Sequence, residues 1–312
     1  MNIALLTLLA DAKPHTYSQL CQTLALDSAT LMTELEQLQQ SGIQLIKEEQ
    51  HCYWLPTAEL LDRDFLQQAL PHNHLIIKPV IDSTNQYVLD HLRELANNSV
   101  CLAEYQTAGR GRRGRKWLSP FAGQVILSFY RTFAKEIPLS GLSLAIGIAV
   151  ARALTLLNFQ QVQLKWPNDI WLAGKKLGGI LIEMKQHSDL SHYQVVIGIG
   201  LNVALPTEMT LDQPIAMLSQ QQKIDRNLVI KELILQLNSV LDLFSEKGLT
   251  PLLAEWQQYD LFYQQPVKLL LEKQQLSGIE QGITAQGELL LQTEQGEIKA
   301  FAIGEISLRG KE

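Results

Sequence analysis

The sequence has little cysteine: Cys21, Cys52 and Cys101 are the three in 312 residues. An odd number at such wide spacing excludes a disulfide framework, and C-x-x-C pairs and Cys/His clusters at zinc spacing are absent. Reduced thiols and a cytoplasmic setting are expected. Long apolar runs are also missing. The longest, 142–157, is broken by Ser143, Gly147, Arg152 and Thr155, so it predicts a buried helix rather than a membrane span. The first ten residues lack a basic flank, and their apolar positions predict an amphipathic helix, not a signal peptide. The Walker A pattern and the G-x-S-x-G elbow do not occur, which excludes a P-loop ATPase and an α/β-hydrolase.

Positive charge is scarce in one region. Residues 1–60 hold two cations, Lys13 and Lys47, against seven carboxylates, so they carry −5 of the −6 on the whole chain. That imbalance opposes binding to a phosphate backbone. The same segment reads as three short helices, with caps at Thr16 and Asp27 and a stop at Gly42, and then two short strands. This is the order of a winged helix-turn-helix. From 75 to about 265, strands and helices mix. Strands are expected at 75–80, 100–105, 125–131, 162–165, 177–185 and 193–203, and helices at 83–95, 140–157 and 226–246. The polar stretch 206–223 has no period and reads as a lid or a disordered segment. Short strands separated by Gly turns fill 266–312, the pattern of a small β-barrel. The chain is thus α+β and multidomain: a winged helix-turn-helix over 1–60, a mixed α/β domain over 61–265 and a small barrel over 266–312.

The strongest motif is Gly109, Arg110, Gly111, Arg112, Arg113, Gly114, Arg115, Lys116, Trp117. It fits G-x-G-x-x-G, but Gly114 leads into Arg-Lys-Trp-Leu-Ser-Pro, which cannot open the helix that a dinucleotide fold requires. Five cations within positions 110–116 suit a polyanion, with glycines letting the backbone wrap closely. Alone, such a loop should repel itself and order around a bound anion. Lys165-Trp166-Pro167-Asn168-Asp169 ends an expected strand, where ligands sit in α/β sheets. Lys165 suits a carboxylate or phosphate, and Asn168 and Asp169 suit a hydrated Mg²⁺. Lys176-Leu177-Gly178-Gly179 and Gly198-Ile199-Gly200-Leu201-Asn202 combine close backbone approach with an amide able to read adenine. Asp82-Ser83-Thr84-Asn85 caps a helix and presents polar groups at its N-terminus. An anion site of Arg, Lys and Gly with no evident side-chain nucleophile suits adenylation, in which a substrate carboxylate attacks the α-phosphate of ATP.

These motifs, in this order, resemble those of the biotin–protein ligases. With the tail Gly304-Glu305-Ile306-Ser307-Leu308-Arg309 and the N-terminal winged helix, the whole chain resembles the bacterial branch that is both ligase and biotin operon repressor. The resemblance implies a class II synthetase-like central sheet and an SH3-like barrel. It implies formation of biotinyl-5′-AMP from biotin and Mg²⁺-ATP, then transfer to a lysine of the biotin carboxyl carrier protein of acetyl-CoA carboxylase. By the same resemblance Ser83, Thr84, Asn85 and Gln106 hold biotin, with Gly109, Arg110, Gly111 and Arg112 closing over it. Lys165, Arg110 and Arg112 serve the reaction. Arg112, Arg113, Arg115, Trp117, Asn168, Lys176 and Asn202 hold the nucleotide, and Asp169 holds Mg²⁺. The family also implies a homodimer in the adenylate-bound state. A lipoate or octanoate ligase of the same fold is an alternative substrate class.

The sequence departs from the family in its N-terminal domain. The second helix of the helix-turn-helix, 28–40, has Glu34 and Glu36 and no cation, and the turn 47–51 is Lys-Glu-Glu-Gln-His. Thr30, Thr33 and Gln37 remain as base readers. Weak operator binding, a fold kept without DNA binding, and a protein-contact or dimer-regulating role all stay open.

Overall fold

In the computed structural model, the residues described are 2–185, 191–205, 214–270, 275–302 and 307–310. The N-terminal region packs α1 (Ile3–Leu9), α2 (Tyr17–Leu24) and α3 (Ser28–Gln40) on a small antiparallel sheet. Its strands are β1 (His15–Thr16), β2 (Leu45–Lys47) and β3 (His51–Trp54), with β3 in the middle. Thr16 and Gln19 form a reciprocal capping box at the start of α2, and Asp27 caps α3. Leu31, Leu35 and Leu38, one helical face of α3, are buried with Leu5, Leu6, Leu9 and Leu20. This core continues into the next domain. Trp54 stacks on Phe121 with ring centroids 4.0 Å apart and meets Tyr105 edge-on at 5.0 Å.

After α4 (Arg63–Ala69) comes the central sheet. Its strands are β4 (Leu75–Ile81), β5 (Val100–Gln106), β6 (Gln124–Ala134), β7 (Val162–Lys165), β8 (Asp169–Leu172), β9 (Lys175–Lys185) and β10 (His192–Asn202). They lie in the order β4-β5-β6-β10-β9-β8-β7, parallel between β4 and β5 and antiparallel elsewhere. The parallel pair brackets α5 (Thr84–Asp90), which is shorter than the expected 83–95. Two helices cover one face. The Ala/Leu-rich α6 (Leu142–Leu156) is buried almost all round, and its Arg152 pairs with Glu255 at 2.5 Å. α7 (Arg226–Lys247) lies against α6, and α8 (Leu253–Tyr259) follows. Strand β8 and helix α8 were not foreseen, because each is too short to show a period. Part of the expected lid is ordered: Ala216 N–H donates to Lys176 O at 2.8 Å and Ser219 N–H to Val203 O at 2.9 Å. Residues 206–213 of that stretch, and 303–306 of the Gly304 tail motif, lie outside the described residues.

The C-terminal strands are β11 (Pro266–Leu270), β12 (Gln275–Ile283), β13 (Leu289–Thr293), β14 (Ile298–Phe301) and β15 (Ser307–Gly310). They form an antiparallel sheet, β14-β13-β12-β11-β15, whose Val267, Leu269, Leu289 and Leu291 join the core of the central domain. Two contacts fix it there. Trp166 Nε1–H donates to Gly287 O at 3.1 Å, and a Cβ at Gly287 would lie 2.7 Å from Gly141 Cα. Close by sequence to α8, Asp260 Oδ2 accepts from Trp256 Nε1–H at 3.0 Å, and Glu280 on β12 is fully buried. Burial, then the neighbouring Asp260, pushes the Glu280 carboxyl up to about 9.

That proton couples stability to pH. Between the ordinary glutamate value of 4.5 and about 9, the folded chain holds a proton that the unfolded chain has released, so stability falls as pH rises through this window. Glu280→Gln is neutral throughout. Its melting temperature should decline less than the parent's between about pH 6 and about pH 9, leaving it the more stable of the two at the alkaline end. Parallel melting curves for the two proteins would contradict the assignment.

Candidate functional site

A cavity of about 430 Å³ opens on the sheet face formed by β6, β10 and β9, between the start of α5 and the loop 109–117. Its inner end is a polar wall. Thr84 donates to Gln106 Oε1 from its backbone N–H at 2.8 Å and from its hydroxyl at 3.2 Å. Gln106 Nε2–H in turn donates to Ser119 Oγ at 3.3 Å. Ser128 Oγ sits 2.7 Å from Thr84 Oγ1 and donates to Asn85 Oδ1 at 2.5 Å. Ser83 caps α5, accepting from Gln86 N–H at 3.4 Å. These groups are buried, so each hydrogen bond also fixes where the remaining lone pairs and protons point.

The outer end is built on Trp117. Its indole N–H donates to Gln124 Oε1 at 3.1 Å, Gln124 Nε2–H donates to Asn202 Oδ1 at 2.8 Å, and Asn202 Nδ2–H donates to Ala216 O at 3.2 Å. Gln124 and Asn202 are cross-strand partners of β6 and β10, which brings them side by side. Both ends depend on glycines of β10. A Cβ at Gly198 would lie 2.4 Å from Asn85 Oδ1, and one at Gly200 would lie 2.6 Å from the Trp117 ring.

The basic loop bends tightly over the cavity. Gly111 N–H donates to Arg115 O at 2.7 Å and Trp117 N–H to Gly109 O at 2.9 Å. Arg113 and Gly114 take left-handed conformations at φ 59° and 70°. The expected self-repulsion meets these bonds and an anchor on the sheet: Arg110 reaches both oxygens of Glu183 at 3.1 Å and Gln86 Oε1 at 2.8 Å. Asn85 Nδ2–H donates to the same Glu183 carboxylate at 2.8 Å. Arg112 turns inward and donates to Asn168 Oδ1 at 2.6 Å. Burial, then Arg113, lowers its guanidinium pKa, while Asp169 opposes the shift.

Most of the expected ligand residues therefore converge. Ser83, Thr84, Asn85 and Gln106 line the inner end, and Arg110, Gly111, Arg112 and Arg115 the roof. Asn168, Asp169 and Lys176 line the middle, and Trp117 and Asn202 the outer end. Lys165 is not among the lining residues. It stands on β7, the sheet's edge, with its amino group 5.2 Å from the Trp171 ring and 5.8 Å from the Phe262 ring. Lys176, on the inner strand β9, lines the cavity, as does Lys116, and lies 2.7 Å from Asp169 Oδ1. Gly109 lies behind the roof, where a Cβ would meet Trp117 O at 2.5 Å. Arg113 is at the loop's tip and does not line the cavity. Gln124, Ser128, Glu183 and Ile215 are participants that the motifs did not single out. Glu183 lies within the expected strand 177–185; the others depend on strand pairing.

Among the described residues, no group of three His, Cys, Asp or Glu side chains is placed to hold a metal ion. In α3, the Thr30 hydroxyl donates to the Asp27 cap at 2.8 Å and the Thr33 hydroxyl to Ala29 O at 3.0 Å, so both serve the helix itself.

Residues 77–202 match the biotin/lipoate A/B protein ligase family and 264–309 the biotin protein ligase C-terminal domain. The bifunctional ligase/repressor BirA proteins of Salmonella typhimurium and Escherichia coli are each 40% identical over 99% of this chain and 98% of their own length. The chain belongs to the biotin protein ligase family. The ligase of Aquifex aeolicus, solved with biotin and ATP, superposes with a TM-score of 0.65 at 30% identity, over 76% of this chain and 99% of its own. The two β10 glycines set the spacing between the two ends of the cavity. Gly198→Ala and Gly200→Ala should each destabilise the protein by about 1–3 kcal/mol through overpacking, read by urea denaturation. Parental stability in both would show that Asn85 and Trp117 yield freely.

Proposed function

We propose that the protein adenylates biotin with ATP and passes the biotinyl group to a lysine of a biotin carboxyl carrier protein. The polar inner wall carries this reading. Thr84, Gln106 and Ser83 offer donors and acceptors in a buried recess, which suit the ureido ring of biotin. A lipoyl dithiolane or an octanoyl tail would leave them unpaired. Trp117 gives adenine a flat face beside the Asn202 amide. Arg112 and Lys176, held by Asn168 and Asp169, stand between the two ends. There they screen the biotin carboxylate from the α-phosphate and stabilise the pentacovalent charge as the carboxylate oxygen attacks and pyrophosphate leaves. The closed roof keeps water from the mixed anhydride.

Mg²⁺ travels with ATP and keeps most of its own waters, so it needs few protein ligands. Asp169 fits that role with the oxygen that Lys176 does not occupy, and the ion would supply charge neutralisation on the phosphates. A cytoplasmic setting agrees with three free thiols, of which burial pushes Cys52 up to about 11 and Cys101 up to about 12. No helix of the described residues is long and apolar enough to cross a membrane. A homodimer in the adenylate-bound state belongs to the same reading.

Lysine variants test the site. Biotin-dependent exchange of pyrophosphate into ATP should fall about 100-fold or more in Lys176→Ala, on the scale of losing one transition-state donor. Lys165→Ala should retain exchange within about threefold, since Lys165 is not among the residues that line the cavity. The reverse ranking would return the central role to Lys165.

Operator binding is a second reading, supported by relatives whose repressor names span the whole chain. The acidic α3 and the Glu48–His51 contact at 2.9 Å in the wing leave little to neutralise phosphates. Binding to a biotin-operator palindrome in the presence of biotin and ATP should therefore show a salt slope shallower than about −3, the value for some three phosphate contacts. A steep slope in a gel-shift titration would contradict this.

A further inference from the structure

A second cavity, of about 600 Å³, lies beyond the reaction centre and shares Arg112, Asn168, Ile180 and Leu181 with the first. Leu139, Leu142 and Ile182 give it apolar walls, and Gln286, Glu288 and Ala302 of the C-terminal sheet close its outer side. Glu288 is the one carboxylate among the described residues that line it. Its position is set by Thr284, whose hydroxyl donates to Glu288 Oε2 at 3.2 Å and accepts the Glu288 N–H at 3.1 Å. The same turn is pinned to the central domain. Gly287 O takes the Trp166 indole proton, and Gly287 abuts Gly141, so Glu288 is held relative to the strand end that carries Asn168.

On the ligase reading, biotin and the nucleotide occupy the first cavity, and a third reactant, the acceptor lysine, has to reach the centre between them. A lysine side chain is four methylenes ending in a cation. The second cavity offers those two surfaces in order: an anion at the barrel side, then aliphatic walls leading inward. We propose that this groove is the access route for the acceptor lysine, with its ammonium paired to Glu288 at the mouth and its stem lying along Leu139 and Leu142. Arg112 at the inner end repels an ammonium and tolerates a neutral amine. The lysine therefore gives its proton to water at the mouth before the amine advances. This rests on the ligase reading and names the site of its second substrate. The competing occupant is the pyrophosphate of the first step, which the amide-rich start of α6 would favour and Glu288 would oppose.

The two half-reactions separate these cases. Glu288→Gln, Glu288→Lys and a groove-narrowing Gln286→Trp are compared with the parent in three assays: pyrophosphate exchange, adenylate transfer to a carrier protein with one acceptor lysine, and adenylate cleavage by hydroxylamine, a small neutral nucleophile. Exchange and hydroxylamine cleavage should stay within about twofold in all three variants, whereas kcat/KM for the carrier falls about tenfold in Glu288→Gln and further in Glu288→Lys. Gln286→Trp should lose carrier transfer while keeping exchange, even where a charge change at 288 unfolds the turn. Undiminished carrier transfer in Glu288→Lys and Gln286→Trp overturns the proposal. So does a loss of exchange that parallels the loss of transfer, which would assign the groove to pyrophosphate. Absence of exchange in the parent protein would instead refute the ligase reading itself.

Discussion

The site depends on the absence of two side chains in the middle of a fully paired strand. β10 lies between β6 and β9 and is hydrogen-bonded on both sides along most of its length. Glycine weakens a strand interior, so two of them need a reason. Gly198 leaves room for Asn85 and Gly200 for Trp117. The start of α5 and the stem of the basic loop therefore rest on one rigid surface, about one residue pair apart along the strand. A methyl group at either position would move one end of the cavity away from the other. Because the strand is central, it cannot shift to compensate without moving both of its neighbours.

Charge is handled by pairing within this frame. Arg110 is anchored by Glu183, Arg112 by Asn168 and Lys176 by Asp169. Two of the loop's five cations are thus held by separate partners outside the loop, which eases the crowding of like charge in one short turn. Deeper in the domain, Arg226 is fully buried against Glu104, which also accepts the Leu61 N–H at 2.5 Å. That pair fixes the start of α7 to β5 and to the chain leaving the N-terminal domain. Removing either partner would strand a buried charge, so it restrains the junction more than it stabilises it.

The N-terminal region keeps the shape of a reader of DNA and lacks its charge. Its core is complete and continues into Phe121 and Ala122, just past the basic loop. Trp54 thus ties the wing to the segment that leaves the ligand site, and this packing holds whatever the exposed face of α3 meets. The apolar pattern that builds a fold and the surface charge that gives it a partner are independent properties of a sequence.

The order of domains, the basic loop, the polar start of α5 and the Trp117 and Asn202 positions were legible in the sequence. Each rests on local chemistry: caps, glycine spacing, charge density and apolar period act between residues a few positions apart. The different placement of Lys165 and Lys176 was not legible, because both open short motifs of similar appearance. Strand order sets them apart, placing β7 at the edge and β9 inside. Gln124, Ser128 and Glu183 were hidden for the same reason: each meets a partner 7 to 98 positions away, brought close by the packing of α5 and the basic loop on the sheet. The sequence by itself determined which chemistry the chain can do, since that lies in the kinds of side chain it carries. Only the tertiary structure decided which of those side chains share one cavity, since that depends on distances set by strands remote in sequence.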